Sequence, residues 1–206
     1  LTGTAALGYS ASYEVWDYPT TDMVYLCFNT RSGHCDDLRL RQALARGVDR
    51  ASITNSLFAR RVTAAQLPVA PGSPLYDGDT AALLDYSLPM MNSLLGQSQR
   101  PKNLIFVVNS ENSFKAAAAD FLAEQWRGAG VAVTVKKLSW EDYTAALTQG
   151  EFDLCLSEVT LFPDFDLTAL LSSGGGLNYG GWRDEETDRL LALARAAGEE
   201  ERQGAF

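Results

Sequence analysis

The sequence predicts an α/β fold with a mainly parallel sheet flanked by helices. Strand, helix, strand, helix and strand succeed one another between residues 102 and 157. Such an order builds parallel strands whose crossover helices pack on the faces of one sheet. The strand segments are short apolar runs, Leu104–Val108 among them, and the intervening helical segments end on glycine. At 206 residues the chain suffices for one well-buried domain or two very small ones. With no internal repeat and no low-complexity tract, a single α/β unit over 1–206 is the economical reading.

Residues 1–22, rich in Gly, Ser, Thr and Tyr, read as an extended lead-in, and Met23–Phe28 reads as an apolar strand closed by Asn29 and Thr30. Asp36 or Asp37 is placed to cap the next helix by accepting free amides of its first turn. Its Leu40, Ala43, Leu44 and Val48 keep helical spacing on one face. Asp49 is expected to cap a second helix running to Phe58. The proline- and glycine-bearing stretch 62–78 predicts an ordered loop, because its apolar residues need somewhere to pack. A helix is expected from near Asp79 to Leu84, broken or kinked at Pro89, and Met90–Gln99 carries no decisive pattern.

Beyond the Leu104–Val108 strand and a polar turn at Asn109–Asn112, Ser113 opens a helix. Phe114, Ala118, Phe121, Leu122 and Trp126 are expected on its inner face, and Gly128 and Gly130 stop it. Val131–Val135 alternates as a strand. Ser139 or Glu141 starts a helix ended by Gly150, Phe152–Leu156 is a strand, and Asp184 caps a last helix with Thr187, Leu190, Leu191 and Ala194 inward.

Composition excludes several classes. A net charge of −9 without clustered cations argues against a nucleic-acid partner. The Leu104–Val108 run is far too short to span a bilayer. The chain opens on Leu1 with no initiator methionine or leader, so it is expected to be a piece of a longer protein. Cys27, Cys35 and Cys155 form no Cys-x-x-Cys pair, and His34 is the sole histidine, a poor set for zinc. Cys27 and Cys155 read as small hydrophobes of strands, and a Cys27–Cys35 disulfide stays open. His34 reads as a solvated loop residue. No Gly-rich phosphate cradle is present, and nothing sets two carboxylates at catalytic separation. No cofactor, no metal and no catalytic residue are expected.

The segment Phe152–Leu167 carries the candidate site. An extended edge there can offer backbone amides and carbonyls to a peptide. Thr160 lies on it, Phe162 and Phe165 supply apolar walls, and Glu158 or Asp164 can meet a ligand amine. Core packing of Phe162 and a simple turn at Asp164 remain the alternative. Arg31 is placed to meet a ligand carboxylate or to be solvated in its loop. Trp182, with Tyr179, forms either an aromatic platform at a cleft or a cover on the last helix.

Four stretches, in order, carry a family resemblance: MVYLCFNTRSGHCDDLRLRQALARGVDRASI (23–53), LPVAPGSPLYD (67–77), FKAAAADFLAEQWRGAGVAVTVKKLSWEDYTAALTQGEFDLCLSE (114–158) and NYGGWRDEETDRLLALARA (178–196). Together they resemble family 5 extracellular solute-binding proteins, the oligopeptide-binding-type receptors of ABC importers. The resemblance implies a periplasmic-binding-protein-like (type II) lobe, the second and C-terminal of two around a cleft, with the N-terminal lobe missing. It implies no enzyme activity and no cofactor. It further implies an extracytoplasmic place, periplasmic or as a cell-surface lipoprotein, a peptide or other small solute as ligand, and an ABC permease at the membrane as partner. A ligand sensor of the same fold without a transporter is the alternative. One departure touches specificity. Peptide binders of the family often follow this strand with Gly-Trp-x-x-Asp-Tyr, where this chain reads Glu158-Val-Thr-Leu-Phe-Pro-Asp164.

Overall fold

A computed structural model describes residues 20–58, 61–98 and 103–197. Its sheet holds β1 (Asp22–Phe28), β2 (Asn103–Asn109), β3 (Ala132–Leu138) and β4 (Leu154–Thr160), in the order β1-β4-β2-β3. β2 runs parallel to both β3 and β4, while β1 joins antiparallel at the edge of β4. The expected lead-in lies, up to residue 19, outside the described residues.

Strand alternation sends successive side chains to opposite faces, so each face acquires its own core. One face is covered by α1 (Leu38–Arg46), α4 (Leu88–Gln97) and α5 (Ser113–Gly128). There Leu26, Phe28, Phe106, Leu154 and Leu156 meet Leu40, Leu44, Met91, Leu122 and Trp126, with the Phe106 and Trp126 rings 5.8 Å apart. The other face is covered by α6 (Trp140–Gln149), whose Tyr143 and Leu147 pack on Val107 and Cys155. Beside it α7 (Thr168–Leu171) and α8 (Glu185–Ala196) shelter Met23, Tyr25 and Val159.

Capping sets the helix starts. Asp37 accepts the Arg39 amide and Asp49 that of Ser52, the latter opening α2 (Arg50–Ser56). Asp77 caps α3 (Gly78–Ala82), Asn112 caps α5, Ser139 caps α6 and Asp184 caps α8. Gly150 closes α6 at φ 73°, a left-handed turn that glycine adopts without a Cβ penalty.

Three expectations are corrected. Pro89 opens α4 and does not break a helix: it sits in the first turn behind the Ser87 cap, where no amide is needed. The undecided Met90–Gln99 stretch is therefore helical through Gln97. Phe114 faces outward from the first turn of α5 and stacks on Phe58 at 5.6 Å, leaving the inner row to Lys115, Ala118, Ala119, Leu122 and Trp126. In α8, Leu191 packs inward while Leu190 is exposed.

Candidate functional site

In open α/β sheets ligands meet the carboxyl ends of the parallel strands. Here those ends are Asn109 of β2, Leu138 of β3 and Thr160 of β4. Each is followed closely by an outward aromatic ring: Phe114 at the start of α5 (47% exposed), Trp140 at the start of α6 (55%) and Phe162 (70%). The turns beneath the first two are tied together. Ser110 N–H donates to the Leu138 carbonyl at 2.7 Å, and Trp140 N–H to Glu111 Oε1 at 3.0 Å.

The sheet leaves an open edge at this end. β2 pairs β4 only as far as Leu156, whereas β1 follows β4 to Thr160. Hydrogen bonds from Asn29 N–H to the Asp153 carbonyl and from Leu161 N–H to the Thr21 carbonyl bracket the β1–β4 ladder. Antiparallel pairs alternate, so Ser157 and Val159 bond to β1. The backbone groups of Glu158 and Thr160 then aim to the side that β2 has vacated. β4 thus extends past its expected end at Leu156 and supplies the extended edge expected of this segment.

Both charges stand at that edge. The Glu158 side chain lies on the α5 face, and its Oε2 is 3.1 Å from Lys115 Nζ. Lys115 is only 9% exposed, an expensive place for an ammonium without a partner. Sequence reasoning missed it, although the signal was present: Lys115 falls in register with Ala118, Ala119, Leu122 and Trp126, one cation on an apolar stripe. Thr160 donates its hydroxyl to Asp22, and that bond, aided by Thr20, holds the Asp22 carboxyl below the usual range. Asp164 is exposed and accepts the Asp166 amide at 3.2 Å. Phe165 adopts φ 55° and packs with Leu161 and Leu167, so its ring belongs to the core under the wall.

The seven expected site residues do not converge. Glu158, Thr160, Phe162, Asp164 and Phe165 share the carboxyl end of β4. Arg31 and Trp182 lie past the opposite end of β1, which spans seven residues and so about 20 Å. Arg31 is exposed, lies against Gly181 and reaches the Tyr179 carbonyl at 3.4 Å. Trp182 donates its ring N–H to Thr187 and carries Arg41 over its face at 6.0 Å.

That opposite end is densely hydrogen-bonded. Asn29 is 2% exposed and its amide donates to the carbonyls of Gly150 and Phe152, at 3.1 and 2.9 Å. Thr30 bonds the Gly180 carbonyl through both amide and hydroxyl, each at 2.8 Å. Arg41 donates to the Cys35 and Asp36 carbonyls. His34 is not the solvated residue expected of it: Nδ1 sits 3.1 Å from Asp153 Oδ1, while Asp153 Oδ2 accepts the Ile105 amide. The Cys27–Cys35 disulfide, left open by the sequence, is not formed. Both thiols are free, Cys35 belonging to the core under α1 and Cys27 to the opposite face. Among the described residues no group of three or more His, Cys, Asp or Glu is arranged to hold a metal, and no helix is long and apolar enough to cross a membrane.

The profile of "Bacterial extracellular solute-binding proteins, family 5 Middle" matches residues 2–180. The chain belongs to this family. Heme-binding protein A of Haemophilus influenzae is 25% identical over 181 residues, 82% of this chain and 33% of its own length. The periplasmic murein peptide-binding protein MppA of Escherichia coli is 29% identical over 196 residues, 88% of this chain and 36% of its own. Its solved structure superposes with a TM-score of 0.80 at 23% identity, over 91% of this chain and 39% of that one. The family 5 chain thus spans about a third of the length of the curated relatives it matches. Of its opening signature, Asn29 and Arg41 hold the hydrogen bonds at the far end of β1 and Asp49 caps α2, while the stretch Glu158–Asp164 falls at the carboxyl end of β4.

Proposed function

We propose that this chain is one lobe of the solute-binding component of an ABC importer, and that the carboxyl end of β4 is its wall of the ligand cleft. The ligand class is a peptide or a similar small solute carrying both charges. The open edge beside Glu158 and Thr160 carries this reading. An extended ligand can bond to those backbone groups as an added strand, with the Lys115–Glu158 pair at its polar termini and Phe114, Trp140 and Phe162 against its apolar parts. Family membership and the naming of MppA as a murein peptide-binding protein support the assignment. The naming of another relative as heme-binding keeps the solute class broader than peptides.

Arg31 and Trp182 belong in this reading to the frame and not to the cleft. The second wall comes from an N-terminal lobe, the receptor works outside the cytoplasm, and it delivers its ligand to a membrane permease without covalent chemistry. Isothermal calorimetry of the full-length receptor against a set of di- and tripeptides tests the proposal. Saturable binding weakened at least tenfold by Phe162→Ala is expected. Saturable binding left unchanged by both Phe162→Ala and Asp164→Ala removes the assigned wall, and no binding by any member of the set removes the peptide class.

A further inference from the structure

The ligand wall leaves unused two thiols that face each other across β1 and β4. Cys27 and Cys155 are register partners, and both point to the α6 side of the sheet beside Val107, Tyr143 and Phe152. The bonds at Asn29–Asp153 and Thr21–Leu161 place Cys27–Cys155 among the hydrogen-bonded pairs of the ladder. In such a pair the Cα atoms stand about 5.5 Å apart, inside the roughly 4.4–6.8 Å range that disulfides occupy. Closing the bond asks the β carbons to approach by roughly 1–2 Å. β1 is the outermost strand of the sheet, paired to a strand on one side only and flanked on the other by the Gly180 loop, so it can yield more readily than a central strand. The third thiol, Cys35, is fully buried on the other face of the sheet and cannot compete.

We propose that Cys27 and Cys155 are a redox site, a cross-strand dithiol that closes to a disulfide by exchange with a disulfide-bearing oxidant. The half-buried Cys27 thiolate attacks one sulfur of the oxidant and expels the other as a thiolate. Cys155 then gives up its proton and attacks Cys27 Sγ, expelling the second oxidant thiolate. Two electrons and two protons leave the chain, and the oxidant's disulfide becomes two thiols. The order of attack follows from their surroundings. A hydrogen bond from the Cys155 thiol holds the Cys27 thiol below its ordinary range. The same bond and burial push Cys155 up, which suits it to the second, resolving step. The bond lies close before Glu158 along β4, so it fastens the strand bearing the candidate wall to β1.

The full chain is incubated with oxidised glutathione, quenched in acid, denatured and alkylated, and then weighed and peptide-mapped. The expected result is a fall from three alkylatable thiols to one, which maps to Cys35, with the Cys27 and Cys155 peptides linked. In Cys155→Ser the reaction is expected to stop at a glutathione adduct on Cys27. Three persisting thiols, a link that includes Cys35, or a glutathione adduct on Cys27 of the unaltered chain without the link would each overturn the proposal. Peptide binding plays no part in this test, so its failure leaves the functional reading untouched.

Discussion

Removing Glu158 is expected to lower stability, because it strips the partner from a buried lysine. At the observed 3.1 Å the pair's attraction is about 1.3 kcal/mol at the dielectric of water and about 5 kcal/mol at an effective value of 20. The Glu158 side chain is 41% exposed, so solvent screens the pair toward the lower figure. Lys115, at 11% side-chain exposure, retains an unpaired charge once the carboxylate is gone. Together these give about 1–2 kcal/mol for Glu158→Ala, or roughly 3–6 °C in Tm for a chain of this size. Lys115→Met removes the buried charge and keeps the volume, so it is expected within about 0.5 kcal/mol of the parent or above it. Urea unfolding followed by circular dichroism measures both, and the double variant should match Lys115→Met alone. A Lys115→Met variant that loses more stability than Glu158→Ala would refute the reasoning.

Asn29→Ala leaves two carbonyls without their donor in a buried place, and a loss of about 2–3 kcal/mol is expected by the same unfolding assay. Gly180→Ala puts a Cβ 2.6 Å from the Phe28 carbonyl oxygen and 3.2 Å from Cys27 Sγ. The 178–182 segment must then lift from β1, and proteolysis near Trp182 should accelerate at least tenfold. Stability should hold to about pH 9 and then fall through pH 12. Burial pushes Cys35 and Tyr25 up to about 12 each, from 9.0 and 10.0, and groups whose folded pKa is raised lose their contribution as pH climbs from the unfolded to the folded value. Tyr25→Phe is expected to delay the alkaline decline, as read by melting temperature against pH.

The predicted framework was legible because its signals are local. Met23–Phe28, Leu104–Val108 and the Ser113 helix are written in apolar runs and spacing, and Asp49, Ser139 and Asp184 cap where their side-chain chemistry places them. The Asn29-Thr30 motif could be assigned a framework role before its partners were known. Its reach to Gly150, Phe152 and Gly180 needed the fold, since those residues stand far along the chain.

By itself the sequence determined the α/β class, the family and the segment where a ligand question belongs, because periodicity, caps and ordered motifs are properties of neighbouring residues. Tertiary structure alone decided the rest. The antiparallel turn of β1 put Arg31 and Trp182 at the far end of the sheet from Glu158, and strand alternation set Cys27 opposite Cys155 instead of Cys35. The early departure of β2 opened the edge beside Thr160, and packing brought Lys115 of α5 onto Glu158 of β4. Each of these is a pairing across long stretches of chain, fixed by ladder register and face, which no local run of residues encodes.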